Sequence, residues 1–345
     1  MDPLETIAFA RALIDIDSTT GREREAGDWL AGVLRQRGYT VEEQLLTRGC
    51  SNVLATLDEP EVVLSTHFDC VPPFFPSDVR DGALFGRGAC DAKGILAAQF
   101  AAAERLRASG ERRIGLLFVV GEERGSDGAA LANQQARGSR YLINGEPTDS
   151  LLGIATRGVL RVKLRATGRA CHSAAPENGI SAIDLLIDAL IRLRTLALPA
   201  DPVLGSTYYT IGLIDGGVAP NVVSPHASAE LLFRIVGDAD EVWAAIQPLA
   251  DTVDISEVLR VPTVRLHTLE GYESAVFPFT TDVPLLGAWG TPLLFGPGSF
   301  LVAHTDQEHL ALDELAAAVD TYERLARTLL GAREGTGDGG LGTRD

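Results

Sequence analysis

The sequence predicts an α/β protein, in which a mostly parallel sheet flanked by helices is combined with an inserted α+β domain. Short apolar segments alternate with helical patterns over residues 1–150. One of them, at 113–120 (RIGLLFVV), is apolar almost throughout, which is typical of a strand covered on both faces. From residue 159 apolar and polar residues alternate, which is typical of strands with one solvated face.

The first half of the chain supplies the elements of the mostly parallel sheet, because strands that alternate with helices favour parallel pairing. Residues 18–21 (STTG) interrupt the first helical pattern and are expected to cap the second helix. In chain order the expected elements are helices at 3–17 and 22–37, strands near 40–46 and 52–57, a buried strand with the apolar run 62–64, a helix at 93–108, a strand at 113–120, a helix near 127–136 and a strand at 141–143.

The second half begins with a β-α-β-β-α-β order, which is that of a ferredoxin-like domain with a four-stranded antiparallel sheet. Its expected elements are a strand at 159–166, a helix at 181–196, strands at 207–214 and 227–236, a helix near 239–250 and a strand at 260–267. A short helix near 282–289, a strand at 292–295 and a long helix at 312–330 follow. We therefore assign 1–156 plus 268–332 to one domain and 157–267 to the insert, and expect a disordered tail at 333–345.

Composition excludes several classes of partner. The formal charge is −17, from 47 acidic and 30 basic residues, whereas nucleic acids and anionic membranes require basic patches. No apolar run approaches membrane-spanning length, and the start of the chain lacks the pattern of a signal peptide. The four cysteines show no C-x-x-C spacing, so we expect a reduced, cytoplasmic protein.

A histidine with a nearby carboxylate lies in the stretch 65–72, at the end of the apolar run 62–64. Residues two apart on a strand share a face, so His67 and Asp69 are expected to point the same way. A carboxylate in this position can orient a histidine that binds a metal ion. The alternative is a surface pair or a structural histidine, so the metal interpretation depends on other residues of the chain.

Five further residues of metal-binding type fall at loop positions. Glu122 and Glu123 directly follow one predicted strand, Glu146 follows another, Asp91 precedes a helix, and His304 follows the strand at 292–295. In open α/β sheets the functional crevice lies at the carboxyl ends of the strands, where gathered acidic groups need a cation. Two histidines and three carboxylates suit zinc, with one carboxylate shared between two ions. Taken singly, Glu122 and Glu123 could belong to a solvated turn, and Glu146 could be an ordinary acidic residue of a loop.

Seven stretches in this order resemble the M20 metallopeptidase family, which contains acetylornithine deacetylases, succinyl-diaminopimelate desuccinylases, aminoacylases and glutamate carboxypeptidases. The stretches are HFDCVP at 67–72, GRGACDAKG at 86–94, GEERGSDGA at 121–129, INGEPT at 143–148, CHSAAPENG at 171–179, GGVAPNVVSPHA at 216–227 and GPGSFLVAHT at 296–305. The resemblance implies a zinc-peptidase-like catalytic domain, an inserted dimerisation or lid domain, and a homodimer.

The resemblance also implies a ligand set for two zinc ions in each subunit, with cobalt as a possible substitute. Asp91 would bridge the two ions. His67 and Glu146 would complete one site, and Glu123 and His304 would complete the other. Each site would then combine one imidazole with carboxylate oxygens, a donor set that zinc accepts.

Further roles follow from the same resemblance. Asp69 would orient His67, and Glu122 would be the general base that takes a proton from water and passes it to the leaving amine. We expect an extended backbone at 122–123, where neighbouring side chains diverge, so that one carboxylate binds metal while the other faces the water. His172 would stabilise the tetrahedral oxyanion from the partner subunit.

Substrate-contacting residues are also implied. Asn221 and Arg234 would contact the polar end of the substrate, and the backbone at Gly298 would face it. The alternatives are a surface histidine for His172 and a structural ion pair for Arg234. Three cysteines adjoin site residues, namely Cys70, Cys90 and Cys171. They could be thiolate ligands of a metal ion, but we favour small buried side chains.

The predicted activity is metal-dependent hydrolysis of the linear amide of a small N-acyl amino acid, as in the acetylornithine or acetyl-lysine deacetylases of amino-acid biosynthesis. The absence of long insertions favours this substrate class. A dipeptidase or carboxypeptidase on the same scaffold is the alternative, because the machinery is shared. A non-catalytic binding protein is a more remote alternative, which the presence of Glu122 and of all the ligand candidates argues against.

Overall fold

The computed structural model of the protein describes residues 1–331, so the tail predicted at 333–345 lies outside the described residues. The chain divides into two compact units. The first unit is formed by residues 1–152 and the chain from residue 285, and the second unit is Gly153–Pro284. Among residues 1–331 no helix combines the length and apolar character that a membrane crossing requires.

The first unit begins with two helices and five strands, after which helices and strands alternate. It begins with α1 (Pro3–Ile14), α2 (Arg24–Gln36), β1 (Thr40–Leu45), β2 (Ser51–Thr56), β3 (Val62–His67), β4 (Asp78–Arg80), β5 (Ala83–Phe85), α3 (Lys93–Ala108), β6 (Ile114–Val119), α4 (Asp127–Gln134) and β7 (Tyr141–Asn144). The second unit, with one residue of overlap, contains β8 (Leu152–Thr156), β9 (Gly158–Thr167), α5 (Ala182–Leu193), β10 (Ala200–Asp201), β11 (Gly205–Ser206), β12 (Tyr208–Gly216), β13 (His226–Ile235), α6 (Ala239–Ile246), β14 (Asp254–Val261), β15 (Val264–Arg265) and β16 (Ser274–Phe277). The chain returns to the first unit with β17 (Thr291–Leu294), β18 (His309–Ala311) and α7 (Leu312–Gly331).

A six-stranded sheet of order β1-β2-β6-β3-β7-β17 forms the centre of the first unit. The strands β6, β3, β7 and β17 run parallel, and β1 and β2 extend the sheet antiparallel. Every residue of β3 and β6 is buried, as the apolar runs predicted. Because β3, β6 and β7 are parallel, the loops that follow them leave the sheet at one edge.

The sheet of the second unit has the antiparallel order β12-β13-β9-β14, and the elements follow one another as β9-α5-β12-β13-α6-β14. The predicted β-α-β-β-α-β order is therefore confirmed. Alternate residues of β9 are buried against α5, among them Leu160, Val162 and Leu164. The last strand is Asp254–Val261 rather than the predicted 260–267, because Pro262 has no N–H to donate and ends the strand.

Other differences from the predicted elements have local causes. The expected helix near 282–289 is two 3₁₀ turns, Val283–Leu285 and Gly287–Trp289, because proline and glycine disfavour a continuous helix. Residues 18–21 do not cap α2, whose N-cap is Glu23 without a side-chain hydrogen bond. The small sheets β18-β5-β4 and β15-β8-β16 were not expected, since their own strands, of two to five residues, show no periodic pattern in the sequence.

Candidate metal centre

Loops at one edge of the parallel sheet carry most of the predicted site residues. His67 is the last residue of β3, and the turn Glu122–Arg124 follows β6. Glu146 lies two residues beyond β7. Thr66 donates its hydroxyl hydrogen to the carbonyl oxygen of Gly145 at 2.7 Å, which ties the end of β3 to the segment that carries Glu146.

Three of these side chains form a first group that could hold a metal ion. His67 Nε2 lies 3.0 Å from Asp91 Oδ1 and 3.9 Å from Glu146 Oε2. The ligand atoms of His67, Asp91 and Glu146 all lie within 4.8 Å of one another. This spacing matches a site in which one imidazole nitrogen and two carboxylate oxygens surround one cation.

A second group uses the other oxygen of Asp91. His304 Nε2 lies 2.9 Å from Glu123 Oε1 and 3.3 Å from Asp91 Oδ2, and the three ligand atoms again lie within 4.8 Å of one another. Asp91 thus offers one carboxylate oxygen to each group. His304 has a left-handed backbone conformation, with φ of 64°, which is uncommon outside glycine and occurs often at functional sites.

The electrostatics of both groups favour a positive charge between the carboxylates. Contacts with Asp91 and Glu123 raise the pKa of His304 to about 10. Burial disfavours the protonated form of the His67 imidazole, yet hydrogen bonds to Asp69 and Asp91 hold its pKa well above the usual range. Burial likewise opposes ionisation of Asp91, but the two imidazoles lower its pKa. A divalent cation would neutralise the negative charge of the same carboxylates that these protonated rings neutralise.

Asp69 lies behind His67 and makes more contacts than the sequence indicated. His67 Nδ1 is 3.0 Å from the carbonyl oxygen of Asp69 and 3.5 Å from its Oδ1. The same carboxylate accepts hydrogen bonds from the backbone N–H groups of Glu122 and Glu123, at 3.1 and 3.3 Å, and from the hydroxyl of Thr20 at 2.9 Å. Asp69 therefore positions both the imidazole and the turn with the two glutamates.

The backbone at Glu122 and Glu123 corrects the sequence-based expectation. The two residues lie in a 3₁₀ turn, not in an extended segment, because Gly121, two residues beyond β6, adopts φ of 79° and turns the chain. Successive residues of a 3₁₀ helix are about 120° apart around its axis. The turn therefore directs the two side chains apart, for a different reason from the one expected, and only Glu123 belongs to the second ligand group.

Gly298 lies in the first unit, and its conformation has a local explanation. Its φ is 82°, and a Cβ on this residue would lie 2.5 Å from Cys90 Sγ. Its N–H donates to Glu314 Oε1 at 2.7 Å. Glycine is thus required here by the turn and by Cys90, and contact with a substrate stays a prediction.

The remaining predicted residues belong to the second unit. His172 is exposed, and its Nδ1 accepts a hydrogen bond from the N–H of Ala174 at 3.1 Å. In a neutral ring this places the proton on Nε2, which leaves that nitrogen as a donor. Asn221 is exposed, and Arg234 is half-buried with a pKa that burial lowers. Their proposed contacts with substrate stay predictions.

The cysteines near the site do not belong to either ligand group in the described part of the chain. Cys70 and Cys90 are buried. Burial raises the pKa of Cys70 to about 12 and that of Cys90 well above its usual value. Both side chains are therefore thiols, in agreement with the interpretation as small buried residues.

Several residues that support the site are not apparent in the sequence. The pattern at 18–21 predicts a helix cap, whereas Thr20 contacts Asp69. The ammonium group of Lys93 is buried and donates to the carbonyl oxygens of Leu13 and Ile16, at 3.0 and 2.8 Å. Glu308 accepts hydrogen bonds from the loop that carries Asp91. No local pattern could have identified these residues, because their partners lie far away along the chain.

Three comparisons place this chain among known proteins. A family model described as peptidase family M20/M25/M40 matches residues 63–328. A probable carboxypeptidase of Aspergillus terreus is 36% identical over 368 residues, which cover 92% of this chain and 85% of that protein.

Two solved structures are similar at low sequence identity. The aminopeptidase PepT of Bacillus cereus has a TM-score of 0.81 at 20% identity, with 96% of this chain and 99% of that chain covered. The YXEP protein of Bacillus subtilis, described as a dinuclear metal binding peptidase, has a TM-score of 0.73 at 16% identity, with 95% and 98% covered. These similarities confirm the predicted α/β fold.

Proposed function

Because this chain belongs to peptidase family M20/M25/M40 and is a metal-dependent amidohydrolase, we propose that it cleaves the linear amide bond of a small peptide or N-acyl amino acid at a dinuclear zinc centre. The observation that carries this proposal is the pair of ligand groups that share Asp91. A carboxylate that offers one oxygen to each of two groups is the arrangement expected of a bridging ligand.

The proposed ligands are His67, Asp91 and Glu146 for one ion, and Asp91, Glu123 and His304 for the other. Imidazole nitrogens and carboxylate oxygens fit zinc, and cobalt accepts the same donors. The YXEP protein, described as binding a dinuclear metal, supports the proposed number of ions. When bound, two such ions lower the pKa of water and polarise the carbonyl group of the substrate.

Glu122 is the proposed general base. Its backbone N–H donates to Asp69, and the 3₁₀ turn directs its side chain away from that of the proposed ligand Glu123. In this role Glu122 accepts a proton from the attacking water and delivers it to the leaving amine. Asp69 is not a ligand in this proposal, because it is fully buried behind His67 and its carboxylate is occupied by the N–H groups of the turn.

His172 is the proposed donor to the tetrahedral oxyanion, supplied by the partner subunit as the family resemblance implies. The hydrogen bond from Ala174 to Nδ1 supports this role, because it leaves the Nε2 proton free to be donated. We assign Asn221, Arg234 and the backbone of Gly298 to substrate binding on the resemblance alone.

The homodimer that this role requires has a candidate surface in the second unit. The outer face of α5 and the edge strand β12 expose large aliphatic side chains, between 36% and 63% exposed, namely Ile183, Ile187, Ile191, Leu213 and Ile214. A Cβ on Gly217, directly after β12, would lie 3.5 Å from Ile183 Cδ1, so the two surfaces adjoin. An edge strand beside an apolar helix face can pair with the same strand of a second copy. We propose that a second copy covers this surface.

Two substrate classes compete. The Aspergillus terreus relative, which is 36% identical over 92% of this chain, is named a probable carboxypeptidase, and this name favours short peptides with a free C-terminus. The compact chain without long insertions favours N-acyl amino acids, which remain the second candidate.

All four cysteines are free, which supports a reducing compartment such as the cytoplasm.

A substrate panel tests the proposal. We expect the zinc-loaded protein to release a free amino acid from dipeptides, tripeptides and N-acetyl or N-succinyl amino acids with different kcat/KM values. Higher kcat/KM for peptides would select the carboxypeptidase or dipeptidase proposal, and higher values for N-acyl amino acids would select the deacylase. An absence of hydrolysis of any linear amide, in protein shown to carry two zinc ions, would contradict the proposed function.

A further inference from the structure

Glu308 makes an unusual set of hydrogen bonds beside the candidate metal centre. The side chain is fully buried. Its Oε1 accepts hydrogen bonds from three backbone N–H groups of the loop before α3, those of Gly88, Cys90 and Asp91, at 2.9, 3.2 and 3.1 Å. Three donors that converge on one oxygen form a concave anion site, and here the anion is a carboxylate of the same chain.

The second oxygen of this carboxylate has a charged partner. Glu308 Oε2 lies 2.5 Å from a guanidinium nitrogen of Arg87, which is also buried. Arg87 further donates from Nε to the carbonyl oxygen of Pro73 at 3.1 Å. The buried negative charge is thus paired with a cation as well as with three N–H groups, which is the condition for retaining a buried ion.

Glu308 also belongs to the segment that carries His304. Its carbonyl oxygen accepts a hydrogen bond from Gly86 at 3.3 Å, and the next residue, His309, pairs with Phe85 between β18 and β5. The segment from His304 to His309 is therefore tied to the loop of Asp91, from which Glu308 is separated by 217 residues of sequence. One carboxylate links the loops of two proposed ligands.

We propose that Glu308 is a positioning residue for metal binding, which holds Asp91 and His304 in the geometry of the shared centre. The proposal rests on the ligand assignment under the proposed function. His67, Glu123 and Glu146 should depend less on Glu308, because they lie at the end of β3, in the turn after β6 and two residues beyond β7. Loss of the carboxylate should therefore weaken the group of Asp91, Glu123 and His304 more than the other group.

Glu308→Gln removes the charge at nearly constant volume. The amide oxygen can still accept hydrogen bonds from the loop, but the amide NH₂ then faces the guanidinium of Arg87, and two donors oppose each other. Outer residues of metal sites typically contribute about 10- to 100-fold to metal affinity. We expect Glu308→Gln to weaken the binding of one of two zinc ions by about 10- to 100-fold, and the other ion by less.

The measurement is zinc binding by the metal-free full chain in competition with a chromophoric chelator. Glu104→Gln is the matched control, because Glu104 is also a buried glutamate. It lies near the C-terminal end of α3, accepts hydrogen bonds from Tyr39 and Arg107, and belongs to neither ligand group. This control should lower the free energy of unfolding and leave both zinc affinities unchanged. Glu308→Asp keeps the negative charge but places it farther from the loop, so it should also weaken zinc binding. This variant replaces Glu308→Gln in the test if the glutamine variant does not fold.

The outcomes separate this proposal from the ligand assignment. Weakened zinc binding in the Glu308 variants with unchanged binding in Glu104→Gln supports the positioning role. Wild-type protein that binds two ions, together with Glu308 variants of unchanged affinity, would overturn the positioning role alone. Wild-type protein that binds no zinc would overturn the proposed centre and, with it, this inference.

Discussion

The carboxylate of Asp69 accepts a hydrogen bond from the backbone N–H of Glu122 at 3.1 Å. The same carboxylate lies 3.5 Å from Nδ1 of His67. One buried side chain therefore contacts both a proposed metal ligand and the turn that carries the proposed base. Metal affinity and catalysis should consequently depend together on Asp69.

The first prediction concerns Asp69→Asn. An amide offers one acceptor oxygen in place of two, so it cannot accept from both N–H groups of the turn and from Thr20 while it also faces His67. We expect zinc affinity to fall by about 10- to 100-fold, and kcat at saturating zinc to fall as well. Asp58→Asn, which alters an exposed pair with Arg112, is the control and should change neither quantity. Wild-type affinity and kcat in Asp69→Asn would contradict the role.

The second prediction separates the two adjacent glutamates. Glu122→Gln should retain zinc and lose kcat by about 10²- to 10⁴-fold, because the amide cannot accept the proton of the water. Glu123→Gln should instead lose zinc from the second ligand group, since Glu123 Oε1 faces His304 at 2.9 Å. Metal analysis of purified protein and steady-state kinetics distinguish the two. Near-normal turnover in Glu122→Gln would exclude Glu122 as the base.

The third prediction is a pH dependence of the metal-free protein. Asp91 and Glu123 raise the pKa of His304 from its ordinary value of 6.5 to about 10 in the folded state. Because the folded pKa is raised, this contribution to the free energy of unfolding is complete below pH 6.5 and is lost as the pH rises towards 10. Urea unfolding of chelator-treated protein should show this decline.

His304→Gln removes the titrating group and should flatten that part of the decline. His226→Gln, at an exposed position of the second unit, is the matched control and should leave the decline as in the wild type. A decline of equal size in His304→Gln and in the wild type would contradict the assignment to His304.

The fourth prediction concerns a site completed by the partner subunit. His172→Ala and Glu122→Gln should each be inactive, and mixing the two proteins should restore part of the activity, because some dimers then contain one intact site. Activity assays before and after subunit exchange measure this. No recovery after verified exchange would argue against His172 acting across subunits.

A companion variant tests the surface through which the subunits would meet. Ile187 lies on the exposed face of α5 and is 48% exposed, so Ile187→Asp should cost little in the stability of a single subunit. At a dimer interface the buried aspartate would be unpaired, and association should fail. Sedimentation should then show a monomer, whereas Leu45→Asp, at an exposed position of β1, should remain dimeric. A dimeric Ile187→Asp would exclude this surface.

Long, strongly patterned elements were predictable from the sequence. The apolar runs of β3 and β6 and the helix α3 lie where the sequence placed them, because burial on both faces and an Ala-rich composition leave strong patterns. The same holds for the order of the second-unit sheet. The strands of the two small sheets show no pattern in the sequence, and the last strand of the second-unit sheet ends before Pro262, closer to the N-terminus than predicted.

The ligand groups could be anticipated because four of their residues follow predicted strands and Asp91 precedes a predicted helix. The residues that support these ligands could not be anticipated, because their partners are distant in the sequence. Thr20 donates a hydrogen bond to Asp69, 49 residues away, and Glu308 accepts one from Asp91, 217 residues away. The turn at Glu122 was expected to be extended, since the sequence shows Gly121 but not its positive φ. Hydrogen bonds between loops depend on the tertiary fold, which local patterns do not encode.

The central claim is that two metal ions, held by ligand groups that share Asp91, are required for amide hydrolysis. The most direct test is a zinc titration of chelator-treated, metal-free protein, with hydrolysis of the best substrate measured at each addition. We predict no hydrolysis without metal and a rise to full activity that saturates at two zinc ions per subunit, with cobalt able to replace zinc. Full activity in protein shown to be free of metal would contradict the claim.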